Sequence, residues 1–140
     1  MKISEVMTPN PRSVGPEEEI QIAARIMREE DAGSVPVVED GRLVGMVTDR
    51  DIVVRAVADG DFACSVDDIM SDDVVTADPE MTTAAASQLM SEHQIRRLPV
   101  VDADDRLVGI VSIGDVAQRE TRAAVKAVKG ATRPGGSHQQ

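Results

Sequence analysis

Aromatic residues are nearly missing from this chain of 140 residues: Phe62 stands alone, with no Trp and no Tyr. Proteins that hold single-stranded nucleic acid stack its bases on aromatic side chains, and no such platform can be built here. Positive charge is scarce as well. Against 25 Asp and Glu there are 15 Lys and Arg, for a formal charge of -10, and such a surface repels a phosphate backbone at long range. Nucleic acid is therefore a poor partner. Cys64 is the only cysteine, and His93 and His138 are the only histidines, so one chain can form neither a disulfide framework nor a cysteine–histidine zinc set. Long apolar runs are absent: no stretch approaches the ~20 apolar residues of a membrane span. Met1-Lys2-Ile3-Ser4-Glu5 lacks the apolar stretch of a signal peptide, which predicts a cytoplasmic protein.

What the chain has is 41% hydrophobic residues, enough for one domain with a real core, and an internal repeat. Val35-Pro36-Val37-Val38, Arg42-Leu43-Val44-Gly45-Met46-Val47-Thr48 and Asp51-Ile52-Val53 return as Leu98-Pro99-Val100-Val101, Arg106-Leu107-Val108-Gly109-Ile110-Val111-Ser112 and Asp115-Val116-Ala117. Pro36 to Pro99 is 63 positions and Gly45 to Gly109 is 64, so one residue is inserted between them. It falls in the polar turn, where Glu39-Asp40-Gly41 faces Asp102-Ala103-Asp104-Asp105. A repeated unit of this size is one supersecondary element that cannot bury its own hydrophobic face. Two of them predict a pseudo-twofold pair with a seam.

Each unit opens with a helical stretch. Pro16-Glu17-Glu18-Glu19 leads into Ile20, Ala23, Ala24 and Met27, and Asp78-Pro79-Glu80 leads into Met81, Ala84, Ala85 and Leu89. Proline, then acids, then apolar positions three and four apart predict helices over 17–31 and 80–94. Val35–Val38 with Leu43–Val47, and Leu98–Val101 with Leu107–Val111, carry a hairpin signature, with Pro36 and Pro99 at edge or strand-start positions. Second helices begin at Thr48 and Ser112, and Ser13-Val14 and Val74-Val75-Thr76 are short first strands. The predicted division is a first repeat with linker over 1–65, a second repeat over 66–128, and a mobile tail over 129–140, where apolar periodicity ends.

At these residues the chain resembles a tandem pair of CBS domains, small regulatory modules that pair through their sheets into a Bateman module. The likeness runs from about Ser4 to Val116. It rests on the two hairpins and on two copies of a Gly-x-x-Thr/Ser-x-x-Asp segment, Gly45-Met46-Val47-Thr48-Asp49-Arg50-Asp51 and Gly109-Ile110-Val111-Ser112-Ile113-Gly114-Asp115. Within the family, Met7-Thr8-Pro9, the run from Thr48 to Ile52 and the run from His93 to Val100 are similar to the stand-alone bacterial group that includes the hypoxic response protein. The resemblance implies an α+β fold of two pseudo-twofold-related β-α-β-β-α repeats packed through their sheets. It implies a homodimer of two pairs in a flat disc, head-to-head or head-to-tail. It also implies two clefts per pair that take adenine nucleotides or other adenosyl ligands such as S-adenosylmethionine, with ribose hydroxyls on the motif Asp and phosphates on the motif Thr or Ser and nearby basic residues.

The candidate ligand-binding residues are Thr48, Asp49, Arg50, Asp51, Arg96, Arg97, Ser112, Gly114 and Asp115, and each has a plainer reading. Thr48 with Asp51 approximates a capping box, though a helix start also offers N–H donors to a phosphate. Arg50 either closes on a phosphate or pairs with Asp49 or a neighbouring acid, since exposed ion pairs are common. Gly114, between Ser112 and Asp115, removes a side chain beside the phosphate path and favours an occupied site there. Arg96 and Arg97 stand where the first unit has Gly33 and Ser34; guanidiniums suit phosphate, and the alternative is a salt bridge to one of many carboxylates. This asymmetry predicts unequal clefts. His93 reads as a helix C-terminal residue favoured by the dipole, and Cys64 as packing or a free surface thiol, with no basic neighbour to activate it. Asp67-Asp68 and Asp72-Asp73 read as a solvated charge run rather than a metal site.

With no nucleophile, base and orienting group as a motif, the expected function is a small regulatory module. It binds AMP, ADP or ATP between its repeats as a regulatory ligand, with no catalysis, no cofactor and no metal. The alternative is a ligand-free dimeric interaction or stress-response protein that docks a protein partner.

Overall fold

The computed structural model, which describes residues 1–131, contains the repeated unit twice. In chain order the elements are β1 (Thr8–Pro9), α1 (Ile20–Glu30), β2 (Ser34–Glu39), β3 (Arg42–Thr48), α2 (Asp49–Arg55), α3 (Thr83–His93), β4 (Arg97–Val101), β5 (Leu107–Ser112) and α4 (Ile113–Ala131). The α+β class expected from the repeat is the one observed. Strands β2 and β3 form one antiparallel hairpin, and β4 and β5 form the other, extended by β1 in the order β1-β5-β4. Each hairpin is irregular at the same place, Val37/Val38 and Val100/Val101.

The two prolines sit inside strands, at edges. Pro36 pairs with Met46, whose own N–H and C=O bond to Ser71 at 2.9 Å. This is a non-hydrogen-bonded position, so the missing N–H of Pro36 costs the ladder nothing. Pro99 repeats the arrangement opposite Ile110. The outer side of each strand bonds to one residue only: the Pro36 carbonyl accepts from Val14 at 3.0 Å and the Pro99 carbonyl from Ala77 at 3.0 Å. The predicted first strands thus shrink to single parallel bridges, and in the second unit the bridging residue is Ala77, not Val74, Val75 or Thr76.

The larger departure from the sequence reading is an exchange of segments. Ile3 and Val6, which precede the first unit, lie in the core with Met90, Leu98, Val100 and Val111. Val66 and Ile69, which precede the second, lie in the core with Val14, Ala23, Val35 and Val47. Backbone bonds follow the same exchange: Ile3 donates to the Met81 carbonyl at 2.8 Å and Ser4 to Pro79 at 3.2 Å, while Val66 donates to Glu18 at 2.8 Å and Asp67 to Pro16 at 2.9 Å. These bonds explain why both first helices begin three residues later than the acidic runs predict. Carbonyls of Pro16, Glu18, Pro79 and Met81 are engaged by the crossing segment and sit in turns outside the helices. Thr82 then caps α3 through its hydroxyl, which accepts from Ala85 at 3.1 Å.

Gly45 and Gly109 mark where the crossing segments lie on the hairpins. A Cβ at Gly45 would stand 2.9 Å from the Ser71 carbonyl oxygen and 2.7 Å from the Met70 sulfur; one at Gly109 would meet the Met7 sulfur and stand 3.1 Å from the Thr8 carbonyl. Thr8–Pro9, which the sequence did not mark as a strand, is the crossing segment paired with Ile110 and Gly109. At the other end, α4 continues to Ala131, past the predicted start of the tail at Lys129; the remainder of that tail lies outside the described residues.

Substituting Gly45→Ala should lower unfolding free energy by about 1–3 kcal/mol through overpacking against backbone. Gly114→Ala, whose added Cβ would find nothing closer than the Ser112 hydroxyl at 3.8 Å, should change it by less than about 0.5 kcal/mol. Urea titrations followed by circular dichroism measure both, and equal effects would contradict the close approach at Gly45.

Candidate functional site

A cleft of about 530 Å³ opens between the repeats, within the size range of small-molecule sites. Its first wall is the end of the β2–β3 hairpin and the start of α2, where Gly33, Ser34, Met46, Thr48, Asp49 and Arg50 face the space. The second repeat supplies the opposite wall through two stretches, Asp73-Val74-Val75 after the crossing segment and Gln94-Ile95-Arg96-Arg97 before β4. Met46, Val74, Val75, Ile95 and Pro99 give it apolar faces; three arginines and two aspartates stand among them.

Local chemistry fixes the first wall. Thr48 caps α2 with both halves of a capping box: its hydroxyl accepts from the Asp51 N–H at 3.0 Å, and Asp51 Oδ2 accepts from the Thr48 N–H at 2.9 Å. Asp51 Oδ1 lies 3.9 Å from Arg55 Nε, and its side chain is 15% exposed. Asp51 thus serves the helix cap and is not among the residues lining this cleft. Asp49 does line it. Its N–H donates to the Gly33 carbonyl at 2.9 Å, its Oδ1 accepts from the Arg50 N–H at 2.8 Å, and its carboxylate lies against Gly33, where a Cβ would be 3.3 Å away.

Among the described residues, the ion pairs are Lys2–Glu80, Arg12–Glu29 and Arg55–Asp51; the guanidiniums of Arg50, Arg96 and Arg97 have no salt-bridge or hydrogen-bond partner there. Arg50 and Arg96 are exposed and Arg97 is half-buried. Arg50 comes from the first repeat and the other two from the second, yet all three face one cleft.

Five of the nine predicted residues therefore meet: Thr48, Asp49, Arg50, Arg96 and Arg97. Ser112, Gly114 and Asp115 do not line this cleft. Ser112 caps α4 through its hydroxyl, which accepts from the Asp115 N–H at 3.0 Å, and Gly114 is exposed. Sequence reasoning missed Asp73, Val74, Val75, Gln94 and Ile95. Three of these had a signal that was assigned elsewhere: Val74 and Val75 as a strand and Asp73 as part of a charge run.

The CBS domain family model matches the chain twice, over residues 3–57 and 66–121. The chain belongs to the CBS domain family. It is 47% identical over 116 residues to the CBS domain-containing protein YhcV of Bacillus subtilis, covering 82% of each chain. To hypoxic response protein 1 of Mycobacterium tuberculosis it is 37% identical over 117 residues, covering 81% of each. Among solved structures it is similar to CBSX2 in complex with AMP, at TM-score 0.78 and 28% identity, over 88% of this chain and 98% of that one. It is equally similar to the CBS domain pair of MJ0100 in complex with 5′-methylthioadenosine and S-adenosyl-L-methionine, at TM-score 0.77 and 27% identity, over 88% and 98%. A structure of the hypoxic response protein with two coordinated zinc ions matches at TM-score 0.76 and 35% identity, over 84% and 98%. Among the described residues of this chain, no three His, Cys, Asp or Glu side chains come together.

His93 ends α3 as expected, but it is exposed, and the left-handed cap residue is Gln94. Cys64 is half-buried against the first core. Burial, joined by the Asp61 and Asp68 carboxylates, pushes its thiol pKa up. The thiol rather than the thiolate is therefore the form present at neutral pH, and reactivity follows the thiolate. Alkylation of Cys64 by iodoacetamide should be slower than that of a small free thiol at pH 8 and should rise with pH through a higher midpoint. Unfolding in urea should bring the two rates together. A native rate matching the free thiol would contradict the shift.

Proposed function

We propose that this CBS pair is a regulatory module that binds an adenine nucleotide, AMP or ATP, in the cleft between its repeats. It carries out no catalysis and works as a cytoplasmic homodimer. The observation that supports this most is the set of three arginines without partners around one apolar-walled cleft. An unpaired guanidinium beside a concave site is suited to a phosphate, which takes its planar fork of donors in pairs. The carboxylates in the same cleft fit the rest of such a ligand. Asp49 and Asp73 can accept the ribose hydroxyls, and Met46, Val74, Val75 and Ile95 offer the apolar faces that hold an adenine.

Capping at Thr48 leaves room for this role. A hydroxyl has one donor and two acceptor positions, and accepting from Asp51 leaves the Thr48 proton free for a phosphate oxygen. Asp51 accepts from the Thr48 N–H at 2.9 Å and keeps acceptor capacity on its carboxylate, so the ribose hydroxyls have Asp51 at the motif and Asp49 and Asp73 in the cleft lining. The AMP complex of CBSX2 and the adenosyl complex of MJ0100 support the ligand class at the level of the fold.

A second reading, docking of a protein partner with no nucleotide, is favoured by the mixed charge of the lining, where two carboxylates offset part of the arginine charge. Calorimetry separates the two. Titration with AMP, ADP, ATP and S-adenosylmethionine should show one adenine-containing ligand that binds. Arg96→Ala and Arg97→Ala should each weaken it about 10-fold or more, since a hydrogen bond to a charged group contributes about 1.5–3 kcal/mol. With no Trp or Tyr in the chain, any retained adenine would also dominate the ultraviolet spectrum of purified protein. No adenine band and no heat with any of the four ligands would exclude the nucleotide reading.

A further inference from the structure

Among the described residues, five that are not glycine hold a left-handed backbone: Asn10, Asp31, Asp40, Gln94 and Asp105. Asn and Asp tolerate that conformation because their short polar side chains bond locally. Gln94 is the exception of the five. It closes α3 at φ 54, and at the same place in the first repeat, 63 positions earlier, Asp31 closes α1 at φ 51. Gly and Asn are the residues that suit such a helix end.

Packing does not account for the choice of glutamine. Gln94 is exposed, and its side-chain amide has no hydrogen-bond partner among the described residues. Its N–H donates to the Ser91 carbonyl at 3.2 Å, a bond that any residue here could make. What separates Gln94 from Asp31 is the cleft, which Gln94 lines and Asp31 does not. A strained backbone persists where the surrounding structure enforces it, and such an outlier points to function.

Along this wall the chain presents, in order, an amide at Gln94, an apolar side chain at Ile95 and guanidiniums at Arg96 and Arg97. A nucleotide presents a base edge, a base face and phosphate in the same order. A primary amide carries donors and an acceptor together, the pattern that pairs with the amino group and a ring nitrogen of adenine through two hydrogen bonds.

We propose that Gln94 selects the base: its amide pairs with the 6-amino group and a neighbouring ring nitrogen of an adenine in the cleft, and its left-handed backbone is kept for that reach. This rests on the nucleotide reading above and assigns recognition of the base to one side chain. Asn, a methylene shorter, suits the helix end better and falls short of the base.

Calorimetry on the full chain tests this with two probes, AMP and purine riboside 5′-monophosphate, which lacks the 6-amino group; if ATP is the nucleotide bound, the corresponding triphosphates serve. Wild type should bind the adenine probe about 5-fold or more tighter than the analogue, as a paired amide discriminates between bases. Gln94→Ala should bring the two within about 2-fold of each other by weakening the adenine probe alone. Gln94→Asn should lose the preference in the same way and should unfold at a higher urea concentration than wild type, because Asn relieves the left-handed position. A preference kept in Gln94→Ala, equal weakening of both probes, or a wild type that does not distinguish them would overturn the role of Gln94 and leave the nucleotide reading standing. A Gln94→Asn chain less stable than wild type would overturn the strain from which that role is inferred. A wild type that binds no adenine nucleotide would overturn both readings together.

Discussion

Each repeat of this protein completes its core with residues from the chain ahead of the other. Ile3 and Val6 fill the second core, and Val66 and Ile69 fill the first; Ile3 and Val66 are fully shielded from solvent. Burying a side chain of this size contributes roughly 1.5–3 kcal/mol, so two per core amount to several kcal/mol. Small domains are stable by only about 5–15 kcal/mol in total, and losing that share would leave either repeat marginal. The pair is therefore one cooperative unit, although its sequence divides cleanly into two.

The cleft inherits its walls from this exchange. Ser71 bonds to Met46 because the crossing segment must lie on the hairpin, and the chain leaving Ser71 carries Asp73, Val74 and Val75 across the mouth of the seam. Had the segment folded back on its own repeat, Met46 would face no apolar partner from the second unit. Gly45 belongs to the same constraint. The glycine of Gly-x-x-Thr-x-x-Asp gives room to a backbone, that of Ser71, and the cleft lies farther along the same strand, at Met46 and Thr48.

The repeat made the hairpins, the helix caps and the α+β class legible, because each depends on residues a few positions apart. Thr48 and Asp51 cap α2 as their spacing says, and the β-branched runs flank polar turns. Segment exchange was not legible, since nothing local distinguishes Ile3 packed on its own unit from Ile3 packed on the other. The same blindness displaced the helix starts: proline and acids at 16–19 and 79–80 satisfy every local rule for a first turn, but tertiary bonds to Val66, Asp67, Ile3 and Ser4 use their carbonyls. At the cleft, the charged residues were legible and the apolar ones were not. An unmatched Arg-Arg pair stands out in an acidic chain, whereas Val74 and Val75 look like any other strand-forming valines.

Broken symmetry carries the functional argument further than the repeat does. Positions 33–34 differ from 96–97, and 49–50 from 113–114, and sequence alone cannot say whether two such differences fall on the same side of a pseudo-twofold. They do. Arg50 crosses the seam to stand with Arg96 and Arg97, while Arg12, one of the few cations elsewhere in the first unit, is held by Glu29 at 2.9 Å. That pair is half-exposed and contributes about 1 kcal/mol at most, but it leaves Arg12 neutralised where the cleft arginines are not. Asp49 and Asp73 line the same cleft, yet neither forms an ion pair with these guanidiniums among the described residues. The loop before β4 and the start of α2 bring the three arginines to one cleft, and that convergence is what supports the anion in the function proposed above.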